Sequence, residues 1–319
     1  MDATSWSAFL AAGTLACCFI SSSTTLYDLT LHHTHSPTAA YLSALLSLIP
    51  TSPVTLRFVA YSEPFFTYLS YTGMLYCARS QWLWAACSFT LAGTFRSNGF
   101  MLSGFIIWGL LVEPTLNRKQ VSFNHIAECL LYTTATFVPF ISHQYAAYTA
   151  FCTSVDSPAP WCSHFPPFIY TYVQVKYWNV GFLKYWTPGQ IPNFLMCAPI
   201  LVLLLWFTTT HIQKSTIPRL LLFLTSSSAT SQVKPPSSSP FLSSSIAPYA
   251  IHALLLTLIY IFASHTQIIL RQAAAMPTTY WAAAYLLMEN PTLGRWWVGW
   301  SVVWGAVSIV LWTTFLPPA

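Results

Sequence analysis

The chain has 319 residues, of which 55% are hydrophobic and only 6% are charged. Its mean hydropathy is +0.55. A soluble domain carries roughly a quarter of its residues as charged side chains, so this composition excludes an ordinary cytosolic protein. The net charge of +5 is small, and it is spread along the chain without a basic stripe, which argues against nucleic acid as a partner.

Long apolar tracts recur along the chain, and several approach the ~20 residues that a helix needs to cross the hydrocarbon core of a bilayer. These tracts lie near residues 5–27, 83–112, 126–151, 191–209, 246–270 and 296–316. Shorter apolar stretches, which we interpret as tilted, broken or re-entrant helices, lie at 38–49, 64–78 and 279–288. With 83–112 split at Arg96, the sequence predicts an all-α integral membrane protein, a polytopic bundle of about ten passes forming one domain over residues 1–319.

The loops between these tracts indicate an orientation, because cytoplasmic loops are enriched in Lys and Arg. Their distribution places the polar, aromatic-rich segment 152–190 on the lumenal or outer face, together with the turns at Arg96 and Arg271. The Ser- and Pro-rich segment 212–245 lies on the other side in this topology. Its low-complexity composition cannot bury a core, so it is predicted to be a disordered cytoplasmic linker.

Two patterns of Cys and His residues raise the question of cross-links and metals. Cys152 and Cys162 both fall in the predicted lumenal segment, where an oxidising compartment would permit a disulfide. The sequence alone does not show the geometry, so bonded and free thiols both remain open. The run of His32, His33 and His35 is predicted to be a solvated turn rather than a metal site.

Ionisable groups in apolar surroundings are costly and are therefore candidates for function. Glu63 stands at the head of an apolar helix, where it could act as a general base. The alternative is an acid favoured by the helix dipole. Arg96 and Asn98 interrupt an apolar tract, and the guanidinium suits an anionic head group. An arginine that only snorkels to the interface is the competing interpretation.

A second group of polar residues, His265, Gln267 and Arg271, is spaced so that a helix would gather it within two turns. It could form another phosphate clamp, with snorkelling again the alternative. In the segment 152–190, several side chains could stack on sugar rings or bond to sugar hydroxyls, although an interfacial aromatic belt has the same composition. They are Trp161, Tyr170, Tyr172, Gln174, Tyr177, Trp178 and Asn179.

Ordered motifs point to a known family. The lumenal segment contains Pro160-Trp-Cys, Ile169-Tyr-Thr-Tyr-Val-Gln, Tyr177-Trp-Asn-Val-Gly-Phe-Leu-Lys-Tyr and Gln190-Ile-Pro-Asn-Phe-Leu. Further stretches, in order, are Ala60-Tyr-Ser-Glu, Arg96-Ser-Asn-Gly, Gln144-Tyr-Ala-Ala-Tyr-Thr-Ala-Phe-Cys, His265-Thr-Gln-Ile-Ile-Leu-Arg, Tyr280-Trp and Phe315-Leu-Pro-Pro. Together they resemble the PIG-V family, GPI mannosyltransferase 2, across nearly the whole chain.

The resemblance implies a multi-pass, GT-C-like enzyme of the endoplasmic reticulum membrane. It would add the second mannose of the GPI precursor glycolipid, through an α-1,6 linkage, from dolichyl-phosphate mannose. The implied mechanism is an inverting in-line displacement without a metal or other cofactor. A small stabilising membrane subunit is also implied. The candidate catalytic residue is Glu63, and the candidate substrate-binding residues are Arg96, Asn98, Trp161, Gln174, Trp178, Asn179, His265 and Arg271.

The sequence departs from the family pattern at one place. Family members carry, before the region that matches here, a lumenal loop with a Trp-Asp motif, whose aspartate is the expected catalytic carboxylate. In this sequence the match begins near Trp6, and neither Asp2 nor Asp28 has that context. We therefore expect an amino-terminally shortened member, and two hypotheses follow: a mannosyltransferase, or a catalytically inactive membrane scaffold or partner subunit. A transporter would require paired intramembrane charges and internal repeats, which are not evident.

Overall fold

The computed structural model describes residues 3–17, 22–59, 61–153, 157–225 and 239–314, which form helices and no β-strand. The α-helices in the first half are α1 (Ala3–Leu15), α2 (Ser23–Thr34), α3 (Pro37–Leu46), α4 (Glu63–Ala78), α5 (Trp82–Phe95), α6 (Ser103–Ile107), α7 (Glu113–Leu116) and α8 (Phe123–Tyr148). Those in the second half are α9 (Ile169–Lys176), α10 (Ile191–His211), α11 (Ile217–Thr225), α12 (Ala247–Phe262), α13 (Ile268–Ala274), α14 (Pro277–Glu289) and α15 (Pro291–Thr313). The all-α prediction is confirmed for this part of the chain.

Four helical segments in the described ranges are long and apolar enough to cross a bilayer. They are Ser97–Leu116, Pro188–Thr225, Ser244–Phe262 and Pro291–Thr313. Large apolar side chains cover their outer surfaces, for example Leu195 with 69% of its surface exposed and Val310 with 60%. Such a surface suits contact with lipid, because a soluble protein rarely exposes so much contiguous apolar area. The count of about ten passes stays a prediction.

The bounds of two predicted tracts differ from those of the helices. In the tract 5–27, α1 ends at Leu15 and α2 begins at Ser23, and residues 18–21 between them lie outside the described residues. The tract 246–270 is divided, since α12 ends at Phe262 and α13 begins only at Ile268. By contrast, the tract 83–112 breaks at Arg96, as predicted: this residue is extended (φ −145°, ψ 135°) between α5 and a 3₁₀ turn, Ser97–Leu102.

The predicted linker 212–245 is shorter than its composition indicated. After α10 the chain continues through a π-helical turn, Ile212–Thr216, into α11, which ends at Thr225. On the far side, Phe241 and Leu242 are buried in the hydrophobic core. The first end of the segment is therefore helical and the second end joins the core, neither of which its Ser and Pro content indicated. The central part, 226–238, lies outside the described residues.

The predicted solvated turn of histidines forms only in part: His32 and His35 are exposed, and His35 is the left-handed cap at the end of α2, but His33 is not solvated. His33 is buried, and its Nε2 atom lies 2.9 Å from the hydroxyl oxygen of Tyr249. The helix continues to Thr34 and places His33 on the same face as Leu26 and Leu29, both fully buried. A residue three or four positions after a buried one shares its face, so the helical period explains the burial.

The position of α4 decides where the candidate site lies. This helix packs against α2 on one side and α5 on the other, and α5 packs in turn against α8. Gly73 makes the approach of α4 to α5 possible, because a β-carbon at this position would collide with the ring of Phe89. The close packing holds the first residue of α4, Glu63, beside the end of α5, where Arg96 follows.

Candidate active site

Glu63 begins α4 and is almost completely buried, with 1% of its surface exposed. Its Oε1 atom accepts a hydrogen bond from Nη1 of Arg96 at 2.5 Å and one from Nε of Arg271 at 2.7 Å. Nη2 of Arg271 donates to the same oxygen. Pro64 suits the first turn of a helix, and the helix amino terminus favours a negative charge. The local sequence therefore places the carboxylate, and the distant arginines neutralise it.

The two arginines lie nearer to the surface than the carboxylate that they share. The side chain of Arg96 is 16% exposed and that of Arg271 is 19% exposed. The guanidinium carbon of Arg271 lies 4.9 Å from the centre of the Tyr61 ring, and that of Arg96 lies 5.7 Å from the Phe66 ring. Two cations and one anion leave a net charge of +1. This group, which we call the Glu63 cluster (Glu63, Arg96 and Arg271), can therefore attract an anion.

Asn98 contributes a second link between the same two parts of the chain. Its Nδ2 atom donates a hydrogen bond of 2.9 Å to Oε1 of Gln272, which is 2% exposed. Asn98 follows Arg96 by two residues, and Gln272 comes directly after Arg271. The amide pair thus fixes the relative position of the two turns that supply the arginines.

Below Glu63, α4 carries a row of buried hydroxyl groups that the sequence analysis did not identify. Thr67, Ser70 and Tyr71 follow Glu63 by four, seven and eight residues, so they lie on one face of the helix. Each is at most 2% exposed. Within the part of the chain that the structure describes, their hydroxyl groups have no hydrogen-bond partner. A buried hydroxyl without a partner costs free energy, so the row is able to receive a polar group or water. The spacing of these hydroxyl residues after Glu63 would have allowed the row to be predicted from the sequence.

The segment 152–190 begins with a covalent link. The structure joins Cys152 and Cys162 by a disulfide, with their Cα atoms 5.6 Å apart. Trp161, beside this bond, is buried with 3% of its surface exposed. A buried ring offers no free face to a sugar, so in this arrangement Trp161 packs the loop instead of lining an open site. Residues 154–156 of the segment lie outside the described residues.

The same segment contacts the bundle next to the Glu63 cluster. The backbone N–H of Tyr170 donates to Oε1 of the buried Gln144 at 3.1 Å, and Oγ of Ser97 donates to the hydroxyl oxygen of Tyr170 at 3.5 Å. Ser97 directly follows Arg96. Further along, Nε2 of His265 lies 2.6 Å from the carbonyl oxygen of Trp178. The predicted gathering of the loop with the turns at Arg96 and Arg271 is therefore present.

The predicted clamp of His265, Gln267 and Arg271 does not form as proposed from its spacing. Arg271 is directed to Glu63, whereas His265 contacts the carbonyl of Trp178 and Gln267 accepts from the hydroxyl of Tyr185 at 2.5 Å. The reason is the helix boundary: α13 begins at Ile268, so the first two residues lie in the preceding turn. They fasten the loop instead of forming one anion site with Arg271.

Tyr185 is a central residue of this fastening, although it was quoted only as the end of a motif. Its hydroxyl also accepts from Nδ2 of Asn193 at 2.8 Å, and its ring stacks on that of His265 with centres 4.7 Å apart. Burial raises the pKa of Tyr185, while the hydrogen bonds with Asn193 and Gln267 act in the opposite direction. The phenol therefore stays neutral near pH 7 and can keep donating to Gln267.

The remaining predicted binding residues lie on the outer part of the loop. Trp178 is 52% exposed, and Asn179 is exposed with a left-handed backbone (φ 50°). Gln174 is half-buried, and its backbone carbonyl oxygen accepts a hydrogen bond from the backbone N–H of Val180 at 2.8 Å. Trp178 and Asn179 present an open ring face and an amide beside the turn of His265. Their role in binding sugar stays a prediction.

Comparison with known protein sequences assigns the chain to a family. A sequence model described as "Mannosyltransferase (PIG-V)" matches residues 7–319. The chain belongs to the PIG-V mannosyltransferase family. The recognition made from the motifs is thus confirmed, and the chain is a member of a family of glycosyltransferases. No solved structure matches the chain.

Individual relatives agree with the PIG-V assignment. A "GPI mannosyltransferase 2" of Cryptococcus neoformans var. neoformans serotype D (strain JEC21) is 34% identical, over 94% of this chain and 73% of the relative. The human "GPI alpha-1,6-mannosyltransferase 2" is 32% identical, over 87% of this chain and 62% of its own length. The rat protein of the same name is 30% identical, over 85% and 60% respectively.

Proposed function

We propose that this chain transfers mannose from dolichyl-phosphate mannose to the GPI precursor glycolipid, as a multi-pass enzyme of the endoplasmic reticulum membrane. In this proposal it adds the second mannose through an α-1,6 linkage. Membership of the PIG-V family and the names of the human and rat relatives support the substrate and the linkage. The four apolar spans among the described residues support the membrane location.

The observation that carries the proposal is the convergence of two arginines on one buried carboxylate. A guanidinium group has five N–H donors. Arg271 gives two N–H groups to Glu63 and Arg96 gives one, so both keep donors for another anion. The phosphate of the donor lipid is an anion that these remaining donors can bind, because arginine binds phosphate through paired, charge-assisted hydrogen bonds. Glu63 holds both guanidinium groups in place before the substrate arrives.

The proposed reaction is a single displacement. The oxygen of the acceptor hydroxyl attacks the anomeric carbon of mannose, and the bond from that carbon to the phosphate oxygen breaks. Its electron pair leaves with dolichyl phosphate, whose charge Arg96 and Arg271 meet by hydrogen bonding. The hydroxyl proton goes to a base. Our proposal needs no metal or other cofactor, because the arginines supply the positive charge.

The assignment of Glu63 as that base stays a prediction. The three hydrogen bonds on its Oε1 atom favour a positioning role, because N–H donors of Arg96 and Arg271 already occupy this oxygen. Its other oxygen, Oε2, accepts from Oγ of Ser62 at 3.3 Å. The acceptor glycan would then lie between the cluster and the exposed face of the loop, where Trp178 and Asn179 could contact it.

A complementation assay tests the proposed function. Microsomes from cells without GPI mannosyltransferase 2 activity should accumulate a GPI precursor with one mannose. Expression of this chain should restore the species with two mannoses, and radiolabelled dolichyl-phosphate mannose should supply the added sugar. Persistence of the one-mannose precursor, with the chain present in the membrane in normal amount, would contradict the proposal.

The proposal also includes a small stabilising membrane subunit, for which the family resemblance is the support. Affinity purification of the tagged chain from these membranes, followed by mass spectrometry, tests this point. A second membrane protein in equal amount is expected. An active preparation that contains the chain alone would exclude it.

A further inference from the structure

A cavity lies between three of the four apolar spans and away from the Glu63 cluster. Its volume is about 210 Å³. Trp108 and Val112 of the span Ser97–Leu116, Thr216 and Arg219 of Pro188–Thr225, and Ala247 and Ile251 of Ser244–Phe262 contribute to its wall. The space is several times the ~30 Å³ share of one water molecule in the liquid, and a cavity with a mainly apolar surface can take up an apolar group.

The cavity and the Glu63 cluster lie at opposite ends of one span. Arg96 directly precedes the amino-terminal end of the span Ser97–Leu116. Trp108, Val112 and Leu116, which line the cavity, lie in its carboxyl-terminal half. At 1.5 Å per residue, the lining residues Trp108 and Leu116 lie about 17 and about 28 Å from Ser97 along the helix axis. The hydrocarbon core is ~30 Å thick. The cavity therefore lies in the second half of the span, away from the end that carries the Glu63 cluster.

A second ion pair, between Arg219 and Glu113, lies at the wall of the cavity. Arg219 donates to both carboxylate oxygens of Glu113, at 2.9 and 2.7 Å, and to Oδ1 of Asn117 at 2.8 Å. Nε1 of Trp108 donates to the same carboxylate at 3.2 Å. The pair ties two spans together and marks where the apolar wall gives way to a polar mouth.

Two features at this mouth are not explained by the ion pair. The hydroxyl of Thr216, in the wall, is buried and has no hydrogen-bond partner among the described residues. Further cations lie close by in the sequence: Arg118 and Lys119 come two and three residues after the first span, and Lys214 precedes Thr216 by two residues. Together with Arg219 they outnumber Glu113. The wall thus offers one hydroxyl donor, and the chain on either side of the mouth carries more positive than negative charge.

We propose that this cavity holds part of one acyl chain of an anionic glycerophospholipid from the leaflet opposite the Glu63 cluster. The chain fills the apolar space between the three spans, which hydrocarbon from the surrounding bilayer can enter. An ester oxygen of the lipid accepts from the hydroxyl of Thr216. The phosphate lies toward the cations of the mouth, where it is favoured by charge. Such a lipid would join three spans without taking part in sugar transfer, so the site is independent of the proposed function.

Native mass spectrometry of the full chain, purified in dodecyl maltoside and titrated with palmitoyl-oleoyl-phosphatidylglycerol, tests the site. Ala247→Phe and Ile251→Trp place a ring in the cavity and should weaken binding at least tenfold. Val202→Phe is the matched control, because Val202 lies in the same span as Thr216 and is 64% exposed on the outer surface. A monodisperse elution profile and an unchanged melting temperature identify folded variants. Unchanged binding in either folded cavity variant would overturn the proposal.

Two further comparisons test the chemistry of the ligand. Thr216→Val keeps the shape of the side chain and removes the hydroxyl, so phosphatidylglycerol should bind several-fold more weakly. Dioleoylglycerol, which lacks the phosphate, and palmitoyl-oleoyl-phosphatidylcholine, which has no net charge, should bind more weakly than phosphatidylglycerol to the unaltered chain. Equal affinity for all three lipids, or a cavity occupied by the detergent tail only, would contradict an anionic phospholipid site.

Discussion

Arg271 lies 208 residues after Glu63 in the chain, yet its Nε and Nη2 atoms both donate to Oε1 of that carboxylate. Arg96 donates to the same oxygen from a different part of the bundle. A shared anion holds two guanidinium groups side by side against their mutual repulsion, and burial of the anion strengthens this effect. The arrangement is typical of a site prepared for a second anion.

Substitution of Arg96 should separate function from stability. In Arg96→Ala, Glu63 retains both hydrogen bonds from Arg271, so the loss of stability should be limited to about 1–3 kcal/mol. Loss of one donor to the leaving phosphate should lower the rate of transfer by about 10²–10³-fold. The two-mannose precursor should therefore fail to form while the protein level is unchanged.

Arg79→Ala is the matched control for this substitution. Arg79 follows the last residue of α4, at the opposite end from Glu63, and its side chain is exposed. Both variants lose one positive charge, so a difference between them reports position and not net charge. Full transfer activity in Arg96→Ala would return this arginine to a snorkelling role at the interface.

Glu63→Gln distinguishes a positioning carboxylate from a catalytic base. The amide keeps the shape but loses the charge that binds both arginines, which should cost on the order of 2–4 kcal/mol of stability. If Glu63 orients the arginines, the KM for dolichyl-phosphate mannose should rise at least tenfold, with a smaller fall in kcat. A large fall in kcat at unchanged KM would instead establish it as the base. Glu289→Gln, an exposed acid at the end of α14, should change neither constant.

The two tryptophans of the loop should respond differently to truncation. Trp178→Ala removes a half-exposed ring and should lower transfer to the GPI precursor several-fold without unfolding the protein. Trp161→Ala removes a buried ring and should destabilise the loop by about 3–5 kcal/mol. Limited proteolysis and transfer assays on both variants check this difference. Normal proteolysis of Trp161→Ala would show that its burial does not stabilise the loop.

The helices were largely predictable from sequence because apolar composition is a local property. Each apolar tract contains a helix, and the break at Arg96 was visible because a charged residue, an amide and a glycine interrupt an otherwise apolar run. The break after Phe262 was harder to predict, because the polar residues 264–267 form a short interruption and apolar residues resume at Ile268. Apolar composition indicates burial or lipid contact without indicating where the backbone turns.

The site was predictable only in part, because its contacts join distant parts of the chain. The sequence identified Glu63, Arg96 and Arg271 as costly charges on one face, and motif order supported them. It did not show that one carboxylate oxygen accepts from both arginines. Nor did it show that Gln267 is bound to Tyr185. Such pairings depend on how helices pack, and spacing within one helix does not reveal them.

Chelation of divalent metals should leave the proposed reaction intact. In our proposal Arg96 and Arg271 supply the positive charge that meets the leaving phosphate. Transfer from dolichyl-phosphate mannose in microsomes washed and assayed with EDTA should therefore proceed at an unchanged rate. An enzyme that requires manganese for its donor, assayed in parallel, shows that the chelator is effective. Loss of transfer with EDTA and recovery with added metal would contradict the mechanism.

The disulfide between Cys152 and Cys162 should be needed for a stable loop. The two residues are separated by 10 positions, and closing a loop of that length restricts the unfolded chain enough to contribute about 3 kcal/mol. Cys152→Ser and the double variant with Cys162→Ser should therefore lose transfer activity at elevated temperature before the unaltered chain does. The double variant leaves no free thiol in the loop, so agreement between the two variants excludes an effect of the unpaired thiol of Cys162 in the single variant.

Maleimide labelling measures the disulfide directly: the unaltered chain should gain two labelled cysteines in this loop only after reduction. The exposed Cys87 should be labelled in unfolded protein with or without reductant, and labelling of Cys152 without reductant would show that the bond is absent.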